Sequence, residues 1–93
     1  MERMAFETEL HQQGYAVVVD RRMEPNAVNL EHTHEFDARL LVLDGTMTVT
    51  AAGTERTYNA GDTFTMSADC RHSERSGSMG VRYLAGRRYP AVR

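Results

Sequence analysis

The chain of 93 residues contains no lysine, and a single cysteine. All of its 11 basic side chains are therefore arginines, set against 13 acids for a net charge of -2. The only adjacent pairs are Arg21-Arg22 and Arg87-Arg88. Without a dense basic stripe there is nothing to track phosphates, so nucleic acid is not an expected partner. With Cys70 alone, no intramolecular disulfide can form, which excludes a stapled secreted scaffold. No apolar run approaches the length that spans a membrane. The beginning, MERMAFETELHQQGY, is acidic and mixed, unlike a signal peptide. These absences together lead us to expect a soluble, cytoplasmic protein with no membrane partner. The length suits one domain and not two, so 1–93 is read as a single unit.

What is present is mostly strand signal. Residues 1–14 form the exception: Phe6 and Leu10 stand i,i+4, and Gly14 is a good stop, so a helix is predicted over Met4–Gln13. Tyr15–Val19 is β-branched and reads as a strand. Pro25-Asn26 marks a turn, after which Val28 and Leu30 alternate with polar neighbours. Leu40–Leu43 is a short apolar run ending at Asp44-Gly45, a strong hairpin signal. Met47, Val49 and Ala51 alternate next. Further turns are predicted at Ala52-Gly53, Gly61-Asp62 and Ser76-Gly77-Ser78, with a loop over Asp69–Arg71. Strands are predicted at Thr63–Met66, at His72–Arg75 and at Val81–Leu84. The sum is about eight short strands spaced as in an antiparallel sandwich or barrel over 15–86, with an exposed tail over 87–93.

Three of the four histidines fall where strands could bring them together. His32 and His34 are two apart, and on a strand such residues share a face, about 7 Å apart along the backbone. That placement suits two cis ligands of one metal. His72 could supply a third from a neighbouring strand. Three neutral imidazoles with open positions fit Fe, Zn, Ni, Mn or Cu. By itself H-x-H equally describes two exposed histidines beside a loop. His11, on the predicted helix, reads as a surface residue.

In context the chain resembles the cupin superfamily, in its small single-domain, metal-binding form. The first cupin motif is a glycine, five residues, H-x-H, three or four residues, Glu, six residues and Gly. Here Asn26 stands at the first glycine, His32-Thr33-His34 matches H-x-H, and Gly45 matches the closing glycine. In the second motif Gly61 matches the first position and His72 the histidine, while Ser67, Asp69 and Ser76 replace a Pro, a Gly and an Asn. The likeness covers about residues 15 to 86. It implies an all-β fold, an antiparallel double-stranded β-helix (cupin or jelly-roll barrel) with a short N-terminal helix. It also implies one divalent transition metal on His32, His34 and His72, and a homodimer, to which small size and free sheet edges also point.

One departure matters most. The family's metal-binding glutamate falls at Ala38, and alanine cannot ligate. The site is then a three-histidine site, a site completed by another acid, or a site without metal. Glu74 is the favoured substitute, because it shares a strand face with His72. It could ligate, or orient or deprotonate a substrate, or sit on the rim paired with an arginine. Asp37 could reach through a bulge, or could cap a turn. Cys70 could ligate as thiolate, or could be a small buried apolar residue. By alternation Leu40 and Val42 should line the barrel with Ala38, and Phe36, Phe64, Met66, Met47 and Tyr83 are candidate wall residues.

The expected function is a small metal-binding cupin that binds or acts on a small molecule. A three-histidine centre suggests dioxygenase-like chemistry by resemblance alone. The alternatives are a non-catalytic binding or sensor module, and an isomerase or decarboxylase type in which metal polarises a carbonyl and Glu74 moves a proton.

Overall fold

The computed structural model describes residues 1–90. Helix α1 (Arg3–Gln12) is followed by β1 (Val17–Met23), β2 (Val28–His32), β3 (Asp37–Ala51), β4 (Thr54–Asn59), β5 (Thr63–Met66) and β6 (His72–Arg88). All pairings are antiparallel. Among the described residues no helix is long and apolar enough to cross a membrane.

Two long strands organise everything else. β3 spans 15 residues and β6 spans 17. They pair along nearly their whole length, but each half serves a different layer. The first half of β3 and the last half of β6 are flanked by β5 and β1. The last half of β3 and the first half of β6 are flanked by β4 and β2. Two four-stranded layers result, and they face each other across one apolar filling. Ala38, Leu40 and Phe64 from one layer meet Met47 and Val49 from the other. This is the antiparallel jelly-roll barrel that the resemblance implies.

Among the described residues the strands number six rather than about eight, because two expected turns are bends within strands. Asp44-Gly45 makes no hairpin. The runs on either side of it pair with β6 rather than with each other, and the register shifts at Val42/Asp44 and Gly45/Met47. Gly45 takes φ +77°, and a Cβ there would run into the Gly80 carbonyl. The dipeptide's left-handed freedom is thus used for a β-bulge that carries β3 from one layer to the other. Likewise Ser76-Gly77-Ser78 does not turn. Ser76 stays paired with Met47, and its hydroxyl accepts from the Ala27 amide at 2.9 Å while donating to the Glu24 carbonyl. The Ala52-Gly53 turn is a true hairpin, with φ +50° and +76°, joining β3 to β4.

Helix α1 forms where the apolar spacing places it. The Glu2 carboxylate accepts from the Met4 and Ala5 amides at 2.7 and 3.0 Å, satisfying two free donors of the first turn. Phe6 and Leu10 are fully buried on the outer face of the first layer, against Tyr15, Leu41 and Leu84. Alternation divides β3 cleanly: Leu41 points out to the helix, and Leu40 and Val42 point into the barrel. At the other end, Arg87 and Arg88 belong to β6 rather than to a tail; Arg88 is exposed and donates to the Gln13 carbonyl at 2.9 Å. Tyr89 and Pro90 follow β6 and are exposed, as expected of the tail, and its last residues, 91–93, lie outside the described residues.

Candidate metal centre

The centre lies in the second layer at one mouth of the barrel. His32 closes β2 and is the direct register partner of His72, the first residue of β6. His72 also pairs with Ala51 on β3, which leaves it 1 % exposed. His34 is not on the strand with His32. It lies in the link between β2 and β3, where its carbonyl accepts from the Asp69 amide at 2.8 Å. The three rings still converge, with centroid separations of 4.4, 4.8 and 4.9 Å. One ligand atom from each lies within 4.8 Å of the others.

Two of the rings are already oriented. His72 Nδ1 lies 2.8 Å from the Cys70 carbonyl, and His32 Nδ1 lies 2.6 Å from the Leu30 carbonyl. A carbonyl only accepts, so Nδ1 carries the proton in both, which leaves Nε2 as the nitrogen able to ligate. This is the second-shell arrangement that fixes a ligating histidine. His72 Nε2 and His34 Nδ1 are buried with no hydrogen-bond partner. Orphaned nitrogens of this kind are costly unless something binds them. Burial lowers the His34 pKa, with the His72 and His32 charges adding to the effect, so its ring is neutral at pH 7. The donor set therefore fits a divalent transition ion.

The candidate fourth ligands part company. Glu74 reaches the histidines: its Oε1 is 3.7 Å from His32 Nε2 and its Oε2 is 3.7 Å from His72 Nε2. Its side chain is 12 % exposed, and Asn29 Nδ2 donates to Oε1 at 3.3 Å. Asp37 is occupied elsewhere. It accepts from the Ala68 amide at 2.9 Å and from Arg88 at 3.2 Å, and these bonds hold its pKa below the usual carboxylate range. The thiol of Cys70 packs against the apolar filling and lines a different groove, so only its backbone carbonyl serves the centre. Ala38 lines the same cavity as the histidines.

Two departures from the motif keep its backbone. Asn26 stands at a motif glycine and takes φ +55°; Asp69 stands at another and takes φ +62°. Asn and Asp tolerate this left-handed region better than other side chains. The loops that aim the histidines are thus held without the glycines.

The cavity in front of the centre has a volume of about 250 Å³. Its walls include Phe36, Phe64, Met66 and Tyr83, as alternation predicts, whereas Met47 is buried in the filling behind them. Sequence reasoning missed three polar lining residues: Asn29, Arg21 and Arg87. Asn29 was hidden because a register irregularity between Asn29 and His32 puts residues three apart on one face. For Arg21 and Arg87 the alternation itself was a usable signal. Arg21 pairs with Tyr83, and Arg87 with Ala38, so both share the inward face.

The Cupin_2 cupin domain family matches residues 19–85, from β1 to near the end of β6. The chain belongs to the cupin family. No curated protein matches it. Solved cupin-like structures share its fold. A protein of unknown function from Rhizobium leguminosarum is 24 % identical with a TM-score of 0.73, over 80 % of this chain and 69 % of that one. KdgF from Halomonas sp. is 26 % identical with a TM-score of 0.64, over 76 % of this cupin and 67 % of that protein. A variant of oxalate decarboxylase from Bacillus subtilis is 19 % identical with a TM-score of 0.75, over 92 % of this cupin but 24 % of that chain.

Proposed function

We propose that this cupin holds one divalent transition metal on His32, His34 and His72, with Glu74 as fourth ligand, and binds and activates a small molecule in the cavity beside it. The observation that carries this reading is the position of Glu74. Two neighbouring donors bonded to one ion at about 2.1 Å lie about 3.0–3.4 Å apart, from the right angle of an octahedron, which leaves two positions open beside four protein ligands, to the tetrahedral angle. Glu74 stands 3.7 Å from two imidazole nitrogens that are each able to ligate. A carboxylate from β6 thereby replaces the one missing at position 38 on β3.

When bound, the metal would polarise an oxygen of the ligand as a Lewis acid. The chain's own residues do the remainder. Asn29 steadies Glu74. Phe36, Leu40, Phe64 and Met66 exclude water from the ligand's far side. Burial raises the Tyr83 pKa, so its hydroxyl stays protonated and can donate to a developing negative charge.

Mixed histidine–carboxylate donors hold Fe(II) in oxygenases as well, so the ligand set does not separate dioxygenase-like from Lewis-acid chemistry. The Tyr83 hydroxyl, held protonated in the cavity, favours the oxygen-independent, Lewis-acid type. A second reading, a ligand-binding module, is favoured by one point: with Glu74 spent on metal, the cavity retains no free general base. Protein reconstituted separately with Fe(II), Mn(II), Ni(II) and Zn(II) separates these readings. Turnover of small carbonyl compounds without oxygen uptake supports the first. Iron-dependent oxygen consumption overturns it. Tight ligand binding with no turnover under any metal supports the module.

A further inference from the structure

Most arginines of this protein are spoken for. Arg3, Arg39, Arg71, Arg75, Arg82 and Arg88 each pair with a carboxylate. Arg21 and Arg87 have no ion pair or side-chain hydrogen bond among the described residues, yet both line the cavity. Arg87 is held over the Phe36 ring, 4.6 Å from its centroid, and that ring stacks on His34 at 4.7 Å. The guanidinium is therefore pre-oriented beside the histidines, with its donors free. Arg21 is the register partner of Tyr83, and Arg21, Tyr83 and Arg87 line one cavity, so the two cations share the same space. Among the described residues Glu74 is the only acid lining that space.

The charge count follows. Two guanidiniums against one carboxylate leave the cavity positive even with neutral histidines, and a divalent ion adds two more charges. Unpaired arginines in a half-apolar cleft focus the field on whatever anion enters. The apolar part of the wall, Val19, Leu40, Phe64, Met66 and Ala85 among it, offers only dispersion and water exclusion. We propose that the cavity takes a small organic carboxylate with an apolar body, its charged group held by Arg87 and steered by Arg21. This rests on the preceding section only in placing the ligand beside the histidines. The guanidinium contacts need no metal.

The test uses the purified full chain, both stripped with EDTA and loaded with Zn(II), followed by 1H–15N NMR that includes arginine Nε signals. Butyrate and benzoate are titrated beside their neutral counterparts, butyramide and benzamide. At least one carboxylate should give saturable shifts at Arg87 Nε and at Ala38 and Ala85, in both metal states. Its amide should bind about tenfold or more weakly, the loss expected when a charge-assisted pair becomes neutral. Arg87→Gln should lose a similar factor and Arg21→Gln less, while both variants keep the wild-type spectrum elsewhere and the wild-type Zn(II) stoichiometry. Amides that bind as well as their acids, an Arg87→Gln variant of undiminished affinity, or no saturable shift with either acid would overturn the proposal. Failure of the metal reading looks different: Zn(II) is not taken up, yet carboxylate shifts persist.

Discussion

Glu74 stands between His32 and His72, with Oε1 3.7 Å from His32 Nε2 and Oε2 3.7 Å from His72 Nε2. Among the described residues no other acid lines the cavity with them. The carboxylate that stands against these histidines thus comes from β6, two residues after a histidine.

The first prediction concerns that exchange of positions. Glu74→Ala should weaken metal binding about 10- to 100-fold while the variant stays folded. Adding Ala38→Glu to it should recover much of the loss, because position 38 opens into the same cavity. Competition titration against a chromogenic chelator measures both. Unchanged affinity in Glu74→Ala would remove the carboxylate from the coordination sphere.

A second prediction tests the bend that joins the layers. Gly45→Ala combines a positive φ with a collision against the Gly80 carbonyl. It should cost about 1–3 kcal/mol, read by urea denaturation. A loss below about 0.5 kcal/mol would mean that the bulge relaxes freely.

Helix α1 gives a third. Leu10 is fully buried against β3 and β6 on the outer face, opposite the cavity. Leu10→Ala should destabilise by about 2–5 kcal/mol. The metal affinity of the folded fraction should stay unchanged, since the histidines sit on the other layer. A parallel loss of affinity would show that the helix face and the centre are coupled.

The fourth is a pH effect. Hydrogen bonds from Ala68 and Arg88 lower the Asp37 pKa in the folded protein. A lowered folded value adds stability above the unfolded pKa, about 3.9, and that stability is lost as pH falls through the folded value. Wild type should therefore melt above Asp37→Asn at pH 7, and the gap should close in acid. Melting in chelator keeps metal out of the comparison. A gap independent of pH would contradict the assignment.

Much of this was legible from residue order. The helix shows in Phe6 and Leu10, and the barrel face in the parity of Ala38, Leu40 and Val42. The three histidines converge as their spacing suggests, though His34 does so from a link rather than a strand. What failed was local turn chemistry. Asp44-Gly45 has the residues of a hairpin, but its flanking runs find a third strand, and pairing along nearly the whole of the 17-residue β6 outweighs a two-residue preference. Asn29 was concealed by an irregular register, which no periodicity can reveal. The contrast between Asp37 and Glu74 was only half visible. Parity placed Glu74 with His72, but the capture of Asp37 by Ala68 and Arg88 depends on contacts 31 and 51 residues away.

The most direct measurement is a Co(II) titration of chelator-stripped protein, followed by visible absorption. The account predicts saturation at one ion per chain with ligand-field bands of a nitrogen–oxygen site. It also predicts loss of those bands in His32→Ala and in His72→Ala, each checked for a native melt. No uptake by the wild type, or uptake that survives both substitutions, would contradict a metal centre on these histidines.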